Sequence, residues 1–286
     1  MDPQLHGTLV DALVGARRAL ERVGRVDEGV KREGARFGGL PPAEFAAPRD
    51  TAAAYAVQDA VAHELGWFAS ARPSAWKVGA AARDATPEAA PLPSAGVVQA
   101  PATLAAQGFT SIGIEGEIAF RLRQAPDVEA LDRAADGARD KPAADAIGAV
   151  IDDAIGEVVV TIEIVAPRFR DLASMSPLLR LADQGVHGAL VVGSGIAWRG
   201  PIDWARQVAI VRRDGAVIRE TRGGHPLGDL RILVAWLARH AASRGYPLAA
   251  GDLVTAGTWT GLLPAQAGEV IDVEFPGIGS ASVAFT

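Results

Sequence analysis

Two glutamates separated by a single glycine lie in a short segment rich in branched apolar residues. Glu115 and Glu117 fall within the run Ile112 to Phe120. In a β-strand, residues two positions apart point to the same face, so these carboxylates are predicted to project side by side. Adjacent carboxylates repel, and this raises the pKa of at least one of them unless a cation neutralises the pair. The spacing indicates a candidate metal site, although two glutamates on a solvated strand face would show the same pattern.

A third carboxylate lies inside an almost wholly apolar run, Val158 to Val165. Such a run is typical of a strand that is buried on both faces, and a buried carboxylate needs an ionic partner or a metal. A salt bridge from Glu163 to Arg168 would meet that need. Alternatively, three carboxylates from two strands match the oxygen ligands that Mg²⁺ and Mn²⁺ prefer.

Two further segments carry polar groups suited to an anion. Lys77 lies between apolar residues and is one of only three lysines, with Lys31 and Lys141. It can act as a point charge for an anion, or as a proton donor if burial lowers its pKa; a surface lysine with a buried stem is the alternative. Thr258 follows Gly257 in a loop whose hydroxyls can hold a carboxylate, or which is a simple turn.

The elements that must position these groups follow from the hydrophobic pattern. Helical spacing predicts a first helix from the apolar residues Leu5, Leu9, Leu13, Val14 and Leu20. A second helix is predicted to begin after Asp50, which can cap it, and to stop at Gly66. Residues 1–70 are therefore predicted to form a helical N-terminal segment, and residues 71–286 a separate β-rich domain.

Beyond residue 75 the pattern predicts strands with one clear helix. The helix is expected over Leu230 to Arg244, and Asp214-Gly215 is a predicted hairpin turn. The segment Ala125 to Ala146, rich in aspartate and alanine, is predicted to be an exposed excursion with one short helix. Strands are predicted over Ile112–Leu122, Glu157–Val165, Val208–Val211, Val217–Ile218, Leu253–Thr255, Val270–Phe275 and Ala281–Phe285.

Composition excludes several classes of protein. The 286 residues are 49% hydrophobic and carry a formal net charge of -6, which argues against a nucleic-acid partner. The absence of cysteine excludes disulfides, thiolate metal sites and cysteine nucleophiles. The N-terminus lacks a basic start followed by an apolar stretch, and apolar runs are too short to span a bilayer. We therefore expect a cytoplasmic protein without a membrane partner.

Taken in order, these segments resemble the fumarylacetoacetate hydrolase superfamily, and within it the branch of 2-keto-4-pentenoate hydratase and 4-oxalocrotonate decarboxylase. The resemblance runs from about residue 50 to the C-terminus. It rests on an ordered set of short strings, which are Ala54-Tyr55-Ala56-Val57-Gln58, Trp76-Lys77-Val78-Gly79, Glu115-Gly116-Glu117, Ile162-Glu163-Ile164-Val165, Ala182-Asp183-Gln184, Ala235-Trp236-Leu237-Ala238, Pro247-Leu248-Ala249-Ala250-Gly251-Asp252 and Gly257-Thr258.

This resemblance implies a fold, a metal site and a reaction. The fold would be α+β, a mixed β-roll or sandwich with flanking helices and a helical N-terminal segment, usually in a homo-oligomer. Glu115, Glu117 and Glu163 would bind Mg²⁺ or Mn²⁺, and Lys77 would be catalytic. The substrate would be a small 2-oxo or 2-hydroxydienoic acid from aromatic catabolism. Substrate-binding positions would be Gly79, Arg168, Asp183 and Thr258.

The sequence also departs from the pattern of that branch. The usual aspartate after Val165 is missing, Gln184 replaces an asparagine, and Ala80-Ala81 stands where a Thr or Ser is common. The separation between Glu117 and Glu163 is 46 positions, longer than expected. The metal ligands are unaffected by these changes, whereas the identity of the substrate is left open.

Four functions remain in order of preference. The first is a hydratase that adds water to a 2-hydroxy-2,4-dienoate, giving a 4-hydroxy-2-oxo acid. The second is a decarboxylase of a 4-oxalocrotonate-like diacid, for which Arg83 or Arg168 would supply the second cation. The third, an acylpyruvate-type hydrolase, needs a histidine base, and no histidine lies in a matching string. The fourth is a non-catalytic relative that binds a metal or ligand.

Overall fold

The computed structural model of the protein describes residues 3–24, 38–68, 72–136 and 142–286. Six α-helices occur in these ranges: α1 (Pro3–Gly24), α2 (Thr51–Glu64), α3 (Val128–Asp136), α4 (Pro142–Ala154), α5 (Pro177–Ala182) and α6 (Arg231–Ser243). The strands in the same ranges are β1 (Ala75–Gly79), β2 (Glu88–Pro91), β3 (Val97–Gln99), β4 (Ala102–Leu104), β5 (Ile112–Leu122), β6 (Ile155–Val165), β7 (His187–Ala197), β8 (Val208–Arg213), β9 (Ala216–Arg222), β10 (Leu253–Thr258), β11 (Leu263–Ala265), β12 (Val270–Phe275) and β13 (Gly279–Phe285).

The strands form two mixed sheets that pack face to face. The larger sheet has the order β2-β1-β10-β5-β6-β7-β3, with β11 added beside β5, and the smaller has the order β4-β13-β12-β8-β9. Three pairs are parallel, β1 with β10, β3 with β7 and β4 with β13, and the others are antiparallel. The two long strands β5 and β6 lie side by side near the middle of the larger sheet. The predicted α+β class with mixed sheets is confirmed.

Apolar side chains from both sheets and α6 fill the main core. Phe120, Val160, Val273 and Leu237 are fully buried in it. A second core lies under the N-terminal helices, where Leu13 of α1 packs with residues of α2 and α5 and with the end of β6. The N-terminal segment thus shares a hydrophobic core with the end of the strand that carries Glu163.

Local signals in the sequence place several elements correctly. Asp50 caps α2 by accepting a hydrogen bond from the Ala53 N–H at 2.8 Å. Gly66, just beyond α2, has a φ of 65°, and Asp214-Gly215 joins β8 to β9 as a tight turn. The predicted burial of Leu9, Leu13, Val14 and Leu20 along α1 is also confirmed, whereas the Leu5 side chain lies outside the described residues.

The prediction of an exposed excursion with one short helix over residues 125–146 is only partly correct, because Pro126 and Leu131 are buried and a second helix begins at Pro142. Two helices, α3 and α4, occupy most of the connection between β5 and β6. Residues 137–141, between them, are not among the residues that the structure describes. Leu131 and Ile151 are fully buried within the main core cluster, and both helices contact α6. Arg231 of α6 also binds Asp152 at 2.7 Å. The charged residues of this segment conceal its apolar spacing, which is why it reads as an exposed loop.

None of the helices in the described ranges is long and apolar enough to cross a membrane.

Candidate active site

Three carboxylates converge where β5 and β6 lie side by side. Glu115 of β5 is directly opposite Glu163 of β6, and Glu117 follows on the same face of β5. One oxygen from each of these side chains lies within 4.8 Å of the others. Glu117 and Glu163 are almost completely buried, whereas Glu115 is partly exposed. The predicted convergence of the three glutamates is therefore present in the structure.

The residue between the two glutamates of β5 is Gly116, and the packing around it has no space for a side chain. Its position faces the smaller sheet, and a Cβ there would lie 2.9 Å from Cγ1 of Val273. The Gly116 N–H donates to the Thr260 hydroxyl at 2.9 Å, which fixes the strand from the same side. The close packing of the two sheets leaves no space for a side chain here, and the carboxylates on either side point away from that contact.

Lys77 brings a positive charge to the cluster from β1. Its Nζ donates to Oε1 of Glu163 at 2.6 Å and to the carbonyl oxygen of Gly185 at 2.9 Å. The other two lysines, Lys31 and Lys141, lie outside the described residues. With all three carboxylates ionised, one ammonium would leave two negative charges unbalanced in the cluster.

His187, the first residue of β7, was not singled out by the sequence pattern. Its Nδ1 lies 3.1 Å from Oε1 of Glu163, the same oxygen that accepts from Lys77. Burial lowers the pKa of His187 despite this carboxylate, so the ring is neutral at pH 7 and its Nδ1 carries the hydrogen that Glu163 accepts. Oε1 of Glu163 is thus held by two donors, and Oε2 is left for another partner.

Burial and mutual repulsion shape the charges of the cluster. Burial and the negative charges of Glu163 and Glu115 raise the pKa of Glu117 well above its usual range. Burial and Glu163 raise the pKa of Glu115 to about 7. Burial also acts to raise the pKa of Glu163, but Lys77 and His187 outweigh it and the pKa is lowered. Two of the three carboxylates therefore hold protons readily when no cation is bound.

The charge of Lys77 is maintained despite its burial. Burial acts to lower the pKa of this ammonium, but the attraction of Glu163, with smaller contributions from Glu115 and Glu117, raises it. Of the two roles considered from the sequence, the structure favours the point charge. A proton donor with a lowered pKa is not supported.

Threonine hydroxyls fix the orientation of Glu117. Thr255 of β10 donates to Oε2 of Glu117, and the Thr255 hydroxyl is also 3.0 Å from that of Thr161. Thr258, a predicted substrate-binding residue, is paired with Glu117 across the β5–β10 ladder. The loop after Gly257 therefore runs directly beside the carboxylate cluster.

The predicted substrate residues Arg168 and Asp183 contact each other instead of the cluster. Arg168 Nε donates to Oδ1 of Asp183 at 2.7 Å, and the Arg168 N–H donates to Oδ2 at 2.8 Å. Arg17 of α1 adds a third contact to the same carboxylate at 3.3 Å. Both predicted residues are almost completely buried, and no hydrogen bond described for the chain joins either of them to Glu163. Salt bridging of Glu163 by Arg168, the alternative to a metal site, is therefore not what the structure shows.

A cleft of about 440 Å³ adjoins Lys77. Gly79, the fourth predicted substrate residue, lines it together with Arg180 and Gly185. Ala80 and Ala81 give this wall an apolar surface. The cleft is large enough for a small organic acid, and it places such a ligand beside the ammonium that contacts Glu163.

Several characterised enzymes are similar to this chain in sequence. A 2-hydroxyhexa-2,4-dienoate hydratase of Comamonas testosteroni is 28% identical over 187 residues, which span 64% of each protein. The TodF product hydratase of Pseudomonas putida is 33% identical over 105 residues, 37% of this chain and 39% of that enzyme. A 4-oxalocrotonate decarboxylase of Pseudomonas putida is 29% identical over 143 residues, 49% of this chain and 52% of the relative. The aligned part of this chain thus spans less than two thirds of the length of each of these relatives.

Solved structures show the same architecture over nearly the whole chain. The 4-oxalocrotonate decarboxylase from Pseudomonas putida G7, complexed with magnesium and adipate, superposes with a TM-score of 0.72 at 20% identity. The superposition covers 96% of this chain and 98% of that one. This likeness establishes the fold, and it confirms the fold expected from the ordered sequence strings.

The family assignment rests on a sequence profile that covers most of the chain. The profile for the fumarylacetoacetate (FAA) hydrolase C-terminal family matches residues 73–285. This range contains all three glutamates and Lys77, and it confirms the resemblance drawn from the short strings. The chain therefore belongs to the fumarylacetoacetate hydrolase C-terminal family.

Proposed function

We propose that this protein is a divalent-metal-dependent hydratase that adds water to a 2-hydroxy-2,4-dienoate to give a 4-hydroxy-2-oxo acid. The observation that carries the proposal is the cluster of Glu115, Glu117 and Glu163 beside Lys77, in which one ammonium faces three carboxyl groups. The hydratases among the similar enzymes support the reaction.

The donor set fits a hard divalent cation. All three candidate ligands are carboxylates, whose oxygens are preferred by Mg²⁺ and Mn²⁺. A cation with a charge of +2, together with the Lys77 ammonium, would balance three ionised carboxylates. It would also relieve the repulsion that helps to raise the pKa of Glu115 and Glu117. Oε2 of Glu163 is the oxygen available for the cation, because Oε1 is occupied by Lys77 and His187. The complex of the structural relative with magnesium supports the choice of a divalent metal.

The residues of the chain have distinct tasks in this reaction. When bound, a divalent cation supplies Lewis acidity to the carboxylate and 2-oxygen of the substrate, where negative charge develops. Lys77 contributes a fixed positive charge beside that position, since two of its three N–H groups are engaged by Glu163 and Gly185. The third N–H is available to a substrate oxygen. Thr258 is paired with Glu117 across the β5–β10 ladder, and its hydroxyl accepts a hydrogen bond from the Thr260 N–H at 3.3 Å.

A decarboxylase is the second candidate function. The observation in its favour is Arg180, a cation that lines the same cleft as Lys77 and is suited to a second carboxylate. Decarboxylases are also among the enzymes similar to this chain. In both reactions negative charge develops at the 2-oxygen of the substrate, so both would need the same carboxylate cluster. The hydratase and the decarboxylase would differ in the substrate that they bind.

The test of the hydratase proposal is an ultraviolet assay with purified protein. We expect the absorbance of 2-hydroxypenta-2,4-dienoate to fall in the presence of Mg²⁺ or Mn²⁺, and not with a chelator, with 4-hydroxy-2-oxopentanoate as the product. Glu117→Ala is the inactive reference and Glu220→Gln, at an exposed position on β9, is the matched control. Absorbance that is stable with either metal, together with CO₂ release from 2-oxohex-3-enedioate, would replace the hydratase by the decarboxylase.

A further inference from the structure

The turn that joins α5 to β7 makes two contacts with the carboxylate cluster. The main-chain oxygen of Gly185 accepts a hydrogen bond from Nζ of Lys77 at 2.9 Å. His187, two residues later, lies with its Nδ1 at 3.1 Å from Oε1 of Glu163. The positions of the Lys77 and Glu163 side chains therefore depend on the path of this turn.

The backbone of this turn has an uncommon conformation. Gln184, Gly185 and Val186 have φ values of 53°, 59° and 57°. This left-handed region is unfavourable for residues other than glycine, and most of all for a β-branched residue such as Val186, so the turn needs support from its surroundings. Gln184 is fully buried, and neither polar atom of its side chain has a hydrogen-bond partner among the described residues. The side chains of the turn itself therefore do not supply that support.

Asp183, the residue before the turn, connects it to the rest of the protein. Its main-chain oxygen accepts from the Val186 N–H at 2.8 Å. Its carboxylate accepts from the N–H and Nε of Arg168 at 2.8 and 2.7 Å, and from Nη2 of Arg17 at 3.3 Å. Arg168 also donates through Nη1 to the carbonyl oxygen of His187 at 2.7 Å. The two arginines on this carboxylate therefore fix the turn at both of its ends.

Arg17 brings its contact to Asp183 from a distant part of the chain. It lies on α1, outside the residues 73–285 that the family profile matches. Its guanidinium lies 4.8 Å from the centre of the Trp67 ring, and only 7% of the residue is exposed. Burial and the positive charge of Arg168 lower the pKa of Arg17 to about 9, so the folded protein stabilises this charge less than water does. A gain in stability therefore does not account for a second arginine on this carboxylate.

We propose that Arg17 is a positioning residue for the active site, which anchors the Asp183 carboxylate and so holds the turn that contacts the carboxylate cluster. The proposal rests on the proposed function in one respect, that the cluster binds the metal used in catalysis. Without Arg17, Asp183 would be held by Arg168 alone, and the turn would be free to move toward an ordinary backbone conformation. That movement would weaken both contacts of the turn with the cluster. Changes one step beyond the metal ligands alter metal affinity or activity about 10- to 100-fold.

The test combines calorimetric titration of the full-length protein with Mg²⁺ and measurement of kcat for 2-hydroxypenta-2,4-dienoate at saturating Mg²⁺. Arg17→Met keeps an apolar side chain of similar length and removes the charge. We expect its Mg²⁺ affinity and its kcat each to fall about 10-fold, while the midpoint of urea unfolding stays close to that of the wild type. Arg17→Lys keeps the charge, and the native contact with Asp183 uses a single nitrogen, so this variant should recover most of both losses.

Two control variants on the same helix separate positioning from stability. Arg18→Met removes the neighbouring arginine, which donates to the Glu64 carbonyl, and it should behave as the wild type. Leu9→Ala removes a buried side chain from the same core, so it should lower the urea midpoint without lowering the Mg²⁺ affinity or kcat. Wild-type Mg²⁺ affinity and kcat in Arg17→Met would refute the positioning role, and so would equal losses in Leu9→Ala.

The Mg²⁺ titration distinguishes this inference from the proposed function. A wild type that binds Mg²⁺ without hydrating the dienoate would overturn the hydratase, and the Mg²⁺ affinities of the variants would then decide the role of Arg17. A wild type that binds no Mg²⁺ would overturn the metal site and, with it, the role of Arg17.

Discussion

The repulsion among the three glutamates predicts that the metal-free protein is destabilised by its own active site. The pKa of Glu115 is about 7, against 4.5 for an ordinary glutamate. Each unit of difference corresponds to about 1.4 kcal/mol, so ionising this buried group at pH 8 costs the folded protein about 3 kcal/mol. Glu115→Gln removes that charge with little change in shape. We expect it to raise the free energy of unfolding of the metal-free protein by about 3 kcal/mol at pH 8.

The sign of the pH dependence follows from the raised pKa. Below pH 4.5 the carboxyl is protonated in both the folded and the unfolded chain, and the two proteins should be equally stable. As the pH rises from 4.5 to 7, the unfolded chain ionises first, and the wild type loses stability relative to Glu115→Gln. The difference in free energy of unfolding between Glu115→Gln and the wild type should therefore grow from pH 4.5 to pH 7 and reach its full value above pH 7.

Urea unfolding in the presence of a chelator, at pH 5 and pH 8, measures this difference. The exposed Glu220→Gln is the control for a change of one charge. Addition of Mg²⁺ at 100 times its dissociation constant should stabilise the wild type by about 2.7 kcal/mol and the variant by less, because a ligand is missing. A Glu115→Gln protein that is no more stable than the wild type at pH 8 would refute the inferred repulsion.

Other changes at the site have equally definite outcomes. Glu117→Ala should abolish metal-dependent turnover while the far-ultraviolet circular dichroism stays unchanged, because it removes a ligand and little core volume. Lys77→Ala should lower kcat more than it weakens Mg²⁺ binding by calorimetry; loss of the metal would instead make Lys77 a support for Glu163. His187→Leu should weaken Mg²⁺ binding about 10-fold, whereas His187→Asn, which keeps a donor near Nδ1, should not. Mg²⁺ affinity should rise between pH 5 and 8 as the proton on Glu115 is lost; a flat profile would contradict its raised pKa.

The convergence of the three glutamates was predictable in part, because two of its features depend on local periodicity. Glu115 and Glu117 share a face through the two-residue repeat of a strand, and the apolar run around Glu163 indicates burial. The pairing of Glu115 with Glu163 is a matter of register that the sequence does not give. It was reached through the resemblance to a family, and the carboxylate cluster in the structure agrees with it.

The contacts from distant segments were not predictable in the same way. His187 and Arg180 reach the site and its cleft through the fold of the β6–β7 connection, and neither lies in a segment with its own chemical pattern. Arg168 and Asp183 are only fifteen positions apart, yet the burial that makes them partners is not visible in their neighbours. Only one short helix was predicted between β5 and β6, because proline, glycine and aspartate residues between residues 126 and 142 interrupt the apolar spacing of the segment.

The hairpin of β5 and β6 has a closed end, where α3 and α4 connect the strands, and an open end, where the glutamates lie. Pairing at the closed end joins Leu122 to Ile155, five residues beyond Glu117 on β5. At about 3.3 Å per residue, this is roughly 17 Å from the carboxylate. The segment that connects β5 to β6 can therefore change in length or sequence without altering the spacing of the three carboxylates. In comparisons within the family, strand register should identify the metal ligands more reliably than their separation along the chain.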